Sequence, residues 1–128
     1  MSKENSEKLK YVNIQLIAIT LFVLALFLSY LINYDKKQEL ENKKRLFNNV
    51  IIQNLVKIQS TLVLLATITF LYINYNQYNI SKKYNNDDIN NLFMSTEVSI
   101  LSVVGALIGI YIVFKSNNKL TIAETDLI

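Results

Sequence analysis

Cysteine, histidine and proline are absent from the 128-residue chain, and glycine occurs only twice. Without cysteine there is no disulfide and no thiol nucleophile, and without histidine the usual zinc and haem ligands are missing too. A chain with no cysteine fits any redox compartment, so its setting is not read from that residue. With no proline and two glycines, almost nothing in the chain interrupts a helix. Arginine occurs once against twelve lysines. A nucleic-acid-binding surface usually gathers arginine into one stripe, whereas these lysines flank apolar segments. No nucleic-acid partner is expected.

The equipment of catalysis is equally scarce. No carboxylate pair lies within an apolar segment, no nucleophile is spaced to a base, and no glycine-rich loop could cradle a phosphate. The sequence therefore predicts a protein that is not an enzyme, with no catalytic, cofactor-binding or metal-binding residue assigned. Asp87 and Asp88 lack the spacing of a calcium loop. The ending Asp126-Leu127-Ile128 is a weak match to ligands of grooves that capture a C-terminal carboxylate. Heavy use of asparagine, isoleucine and lysine reflects the codons of an AT-rich genome and carries no mechanism.

What the chain does have is clustered hydrophobicity. Apolar residues make up 52% of it and the net charge is +3. Mean hydropathy is only +0.26, because polar connections dilute three apolar blocks. The length suffices for one domain. Residues 16–32 carry no charge, and the uncharged stretch extends over residues 11–34. At about 1.5 Å per residue this exceeds the ~30 Å hydrocarbon core of a bilayer. Residues 26–31 are too bulky for a signal-peptide cleavage site, so an uncleaved span is expected. The second block, residues 58–73, has a short clean core and borrows length from Val50, Ile51, Ile52, Leu55 and Val56. The third, residues 98–114, is closed by Lys115, with Ser95 or Thr96 as an N-cap unless the helix begins nearer Asp87.

The expected architecture is all-α: an integral membrane protein with three transmembrane helices that extend beyond the bilayer. A polar tail (1–10) leads to span 1 (11–34), a charged helical hairpin (35–49) and span 2 (50–74). An Asn/Tyr-rich loop (75–95), span 3 (96–115) and a C-terminal tail (116–128) follow. Threading three spans puts Tyr11, Tyr72 and Tyr75 at one interface and Tyr30, Tyr34 and Tyr111 at the other, as two aromatic belts. Five lysines fall on the side of the N-terminus and second loop, against seven basic residues on the other side. That balance places the first loop and the C-terminus in the cytoplasm. The Asn79-Ile80-Ser81 sequon is no more than chance produces from 16 asparagines and 16 serines and threonines.

Two surfaces stand out. Ser95, Ser99, Ser102, Ala106 and Gly109 recur at helical spacing on span 3, and Gly105 forms a G-x-x-x-G with Gly109. Small residues on one face let helix backbones approach closely where lipid removes the hydrophobic drive between helices. The stripe predicts a helix-packing interface, turned either to the chain's own spans or to a partner. On span 2, Gln53, Lys57, Ser60 and Thr61 share one polar face. It could line a pore in an oligomer, or Lys57 could simply snorkel to the interface. Glu97 opens span 3 at the opposite membrane face from Lys57, so the two do not meet. In the hairpin, Glu39–Lys43 and Glu41–Arg45 are spaced as i,i+4 ion pairs, and Leu40, Phe47, Ile51, Asn54 and Ile58 continue a heptad-like seam.

These features predict a structural or accessory subunit of a larger membrane assembly, with the lipid bilayer and other membrane subunits, or further copies of itself, as partners. The alternatives are a holin-like oligomeric pore or permeability factor and a toxin-immunity membrane protein.

Overall fold

The computed structural model describes residues 2–85 and 89–127, with side chains described as far as Lys115. It consists of three long helices: α1 (Lys3–Leu40), α2 (Asn49–Lys83) and α3 (Ile89–Leu127). Each contains a segment long and apolar enough to cross a membrane. Asp87, Asp88 and Ile128 lie outside the described residues, as do the side chains of Lys119 and Asp126.

Asparagine and serine do the punctuation that glycine and proline usually do. The Ser2 hydroxyl accepts the Asn5 N–H at 3.1 Å and caps α1, and the Asn48 side chain accepts the Ile51 N–H at 2.8 Å and caps α2. At the end of α1, Asn42 takes a left-handed φ of 57°. The Asn42 N–H then donates to the Glu39 carbonyl and the Lys43 N–H to the Gln38 carbonyl, the double closure of a Schellman ending. At the end of α2, Asn85 repeats the left-handed conformation, with φ 54°. Asparagine tolerates this region better than other non-glycine residues.

The helices run farther than the apolar blocks. Residues 75–83 and 89–95, expected as loop, are helical. The reason is local: that stretch contains neither glycine nor proline, and asparagine alone costs a helix only a few tenths of a kcal/mol per residue. Ser95 and Thr96 accordingly lie inside α3, with the Thr96 hydroxyl donating to the Leu92 carbonyl.

Successive helices are antiparallel. Helix α2 packs against both neighbours, while among the described residues α1 and α3 make no contact with each other. The molecule is therefore an open layer of three helices with α2 in the middle. Two seams on α2 make this possible. Ala66, Ile73 and Ile80 recur every seven residues and are buried, as are Ala18 and Ala25 of α1, also seven apart. Alanine at these positions lets the backbones approach, and a seven-residue repeat keeps the contact aligned along both helices. Aromatic pairs flank this seam: Tyr11 with Tyr72 at 5.8 Å and Phe22 with Phe70 at 5.6 Å between ring centres. The first pair puts Tyr11 and Tyr72 at one level.

The second seam is displaced by one residue and is polar. Ser60, Thr67, Asn74 and Ser81 also recur every seven residues, and Thr67 and Ser81 are buried. One step along a helix rotates by about 100°, so this stripe looks toward α3 while its apolar twin looks toward α1.

Candidate functional site

The stripe of small residues on α3 faces the polar seam of α2. At one end the two helices are bonded. The Asn74 side-chain amide donates to the Ser99 hydroxyl at 2.5 Å and reaches the Ser95 carbonyl at 3.5 Å. The buried Ser99 hydroxyl in turn donates to the Ser95 carbonyl at 2.9 Å. The Asn74 amide, the Ser99 hydroxyl and the Ser95 carbonyl thus satisfy one another, as polar groups in an apolar environment must. Beside it, Tyr78 and Phe93 pack with ring centres 5.7 Å apart.

Farther along, the helices leave a groove of about 310 Å³ between them. Gln59, Ser60 and Val63 of α2 form one wall, and Ser102, Gly105, Ala106 and Gly109 of α3 contribute to the other. A Cβ placed on Gly105 or Gly109 meets nothing within 4 Å. The six stripe residues are thus divided: Ser95 and Ser99 are engaged by Asn74, and Ser102, Gly105, Ala106 and Gly109 border open space.

The polar face of α2 adjoins the same region. Ser60 lines the groove, and the Lys57 ammonium lies 5.4 Å from the Phe114 ring centre. Phe114 is the last residue of α3 before Lys115, so Lys57 sits where the apolar segment of α3 ends. Glu97 is about 25 Å away along α3, at 1.5 Å per residue. The Thr61 hydroxyl donates to the Lys57 carbonyl at 2.8 Å, an internal bond. Gln53 is half-buried.

A third constellation escaped the sequence reading. Asp35, the first charge after the uncharged run of α1, is only 1% exposed. The connection of residues 41–48 folds back over it. Arg45 donates to Asp35 Oδ2 through Nε at 3.1 Å and Nη2 at 2.8 Å, and the Phe47 N–H donates to Oδ1 at 3.0 Å. Arg45 Nη1 also reaches Asn49 Oδ1 at 2.6 Å, tying the pair to the start of α2. Burial by itself would raise the Asp35 pKa, but the Arg45 hydrogen bonds and charge and the Phe47 N–H outweigh it and hold the carboxyl below the ordinary aspartate value. Arg45 is correspondingly raised, chiefly by its hydrogen bond to Asp35.

This hub corrects the expected ion pairs. Glu39–Lys43 and Glu41–Arg45 do not form, because α1 stops at Leu40 and the next residues lose helical spacing. Lys43 pairs with Glu41 at 3.1 Å instead, and Arg45 turns back to Asp35 with Glu39 at 3.9 Å. The signal that could have found the hub is position: a lone acid directly after 24 uncharged residues, ten before the single arginine. For Asn74, the signal was its seven-residue spacing from Thr67 and Ser60.

Among the described residues no three acidic side chains gather into a metal-holding cluster. What the arrangement offers chemically is surface: a bonded half and an open half of one helix–helix seam. No protein-family model, no curated protein and no solved structure matches this chain.

Proposed function

We propose that the protein is a multi-pass integral membrane protein whose three helices cross the bilayer and extend beyond it, and that it serves as a structural or accessory subunit of a larger membrane assembly. The observation that carries this reading is the open half of the α2–α3 seam, where Gly105 and Gly109 border space that no described side chain fills. Helix association in lipid proceeds through close backbone approach at small residues, and a glycine-lined groove offers that approach to an incoming helix. The open layer supports the same reading, because among the described residues α1 and α3 each keep a long face that no other helix covers. The incoming helix belongs to another membrane subunit or to a second copy. In this reading the first connection and the C-terminus face the cytoplasm, following the excess of basic residues there.

The test is Gly109→Leu. A Cβ at this position meets nothing within 4 Å, so the variant should still fold while its side chain plugs the groove. Proteins co-purifying from native membranes in mild detergent, or the oligomer itself, should be lost from the variant and kept in the wild type. A wild-type protein that is monomeric and partnerless, with Gly109→Leu indistinguishable from it, would sink the idea.

A further inference from the structure

Where α1 begins and α2 finishes, the two helices enclose a cleft of about 380 Å³. Glu7, Lys10 and Tyr11 of α1 face Asn76, Asn79 and Lys83 of α2 across it. The back wall is fixed, since the Tyr11 hydroxyl donates to Asn76 Oδ1 at 3.3 Å and the Asn76 amide donates to the Tyr72 carbonyl at 2.7 Å.

The charges in this cleft do not balance. Lys83 lies 3.3 Å from Glu7 Oε1, and that pair is neutral. The Lys10 ammonium instead rests 5.8 Å from the Tyr11 ring centre, with no carboxylate within ion-pair distance among the described residues. One positive charge is left over. A phosphodiester carries one negative charge, whereas a phosphomonoester carries close to two at neutral pH. Height matters as well. Tyr11 is the first residue of the uncharged run, and the exposed apolar residues Val12, Leu16 and Ile19 follow it along α1. A polar cleft thus adjoins an apolar flank, as a headgroup adjoins its acyl chains. Lys3 and Lys82 add positive charge at the same end, whereas Lys8 is paired with Glu4 at 2.9 Å.

We propose that this cleft binds the headgroup phosphate of an anionic phospholipid, with Lys10 as the counter-charge and Lys83 and Asn79 completing the cradle. The proposal rests on the membrane placement of the three helices and is independent of any partner subunit.

The experiment is native mass spectrometry of the full chain in detergent, titrated with phosphatidylglycerol or phosphatidylcholine. Preferential retention of phosphatidylglycerol is expected, and Lys10→Gln should weaken it by about fivefold, the worth of one lysine at an anionic surface. Lys36→Gln, at the other end of α1, should leave it unchanged. Equal retention of the two lipids, or a Lys10→Gln protein that binds like wild type, overturns the proposal. Displacement of the lipid by inorganic phosphate at equal concentration overturns the lipid source and assigns the cleft to a soluble anion. Alkaline carbonate extraction of native membranes reads the membrane placement separately, so its failure is distinguishable from failure of the cleft.

Discussion

The Asn74 amide and the Ser99 hydroxyl, 2.5 Å apart, join α2 to α3 through side chains that are both polar and both on seven-residue stripes. In an apolar surrounding such a bond contributes modestly, on average about 0.6 kcal/mol and up to about 1.7 kcal/mol. Ser99→Ala should lower stability within that range, and Asn74→Ala slightly more because it also surrenders the contact with the Ser95 carbonyl. The double mutant should fall short of the sum. Unfolding titrations in mixed micelles, arranged as a double-mutant cycle, check this; strictly additive losses would mean the two side chains are not coupled.

The two seams of α2 should respond oppositely to added volume. Ala66 is fully buried against α1, so Ala66→Leu overpacks the hairpin and should cost about 1–3 kcal/mol. Gly105 has free space beyond its Cα. Gly105→Ala should stabilise the single chain by up to about 1 kcal/mol, the helix-propensity difference between the two residues. Thermal melts followed by circular dichroism compare the pair directly.

Asp35 predicts an acid-sensitive connection. Its folded pKa lies below the unfolded value, so the stabilisation is fully present above the ordinary aspartate pKa of about 3.9 and is lost as pH falls through the folded value. Hydrogen exchange at residues 41–48 should therefore be slow and level near neutrality and accelerate, relative to its intrinsic pH dependence, only below pH ~4. Asp35→Asn should remove that acid transition. At neutral pH, Asp35→Ala should expose Lys43, Lys44 and Arg45 to trypsin, which limited proteolysis reads as faster cleavage there.

Asn42 sits in the left-handed region at the close of α1. Asn42→Gly should be neutral or stabilising, and Asn42→Val should cost about 1–2 kcal/mol, the penalty of that conformation for a residue with a branched side chain. Melting temperatures of the two variants should fall on opposite sides of, or at and below, that of wild type. A valine variant as stable as the glycine one would show that the turn readily adopts another form.

The three apolar helices were legible in the sequence because length and charge spacing alone mark them. Residues 11–34 hold no charge, and no other element buries so long an apolar run cheaply. Their ends were not legible, because the usual stop signals are missing and asparagine serves three purposes at once. Asn42 and Asn85 turn the chain, Asn48 caps a helix and Asn74 bonds one helix to another, yet composition makes all sixteen look alike. The stripe on α3 was legible as a pattern, but its division into a bonded half and an open half depends on where Asn74 falls on the facing helix. The Asp35–Arg45 pair was hidden by a plausible competitor, since Glu41 and Arg45 stand at helical spacing and only the turn at Asn42 breaks it.

Among the described residues α1 and α3 do not touch, so each seam joins helices that are neighbours along the chain. The ring pairs Tyr11–Tyr72 and Phe22–Phe70 and the ion pairs Arg45–Asp35 and Lys83–Glu7 of the first hairpin all lie within the first 83 residues. During synthesis the hairpin can close, with Arg45 locked on Asp35, before the third helix has emerged. A third helix arriving afterwards would meet a surface that already presents Asn74 and Ser60, which would give assembly a direction in time, from the N-terminus outward.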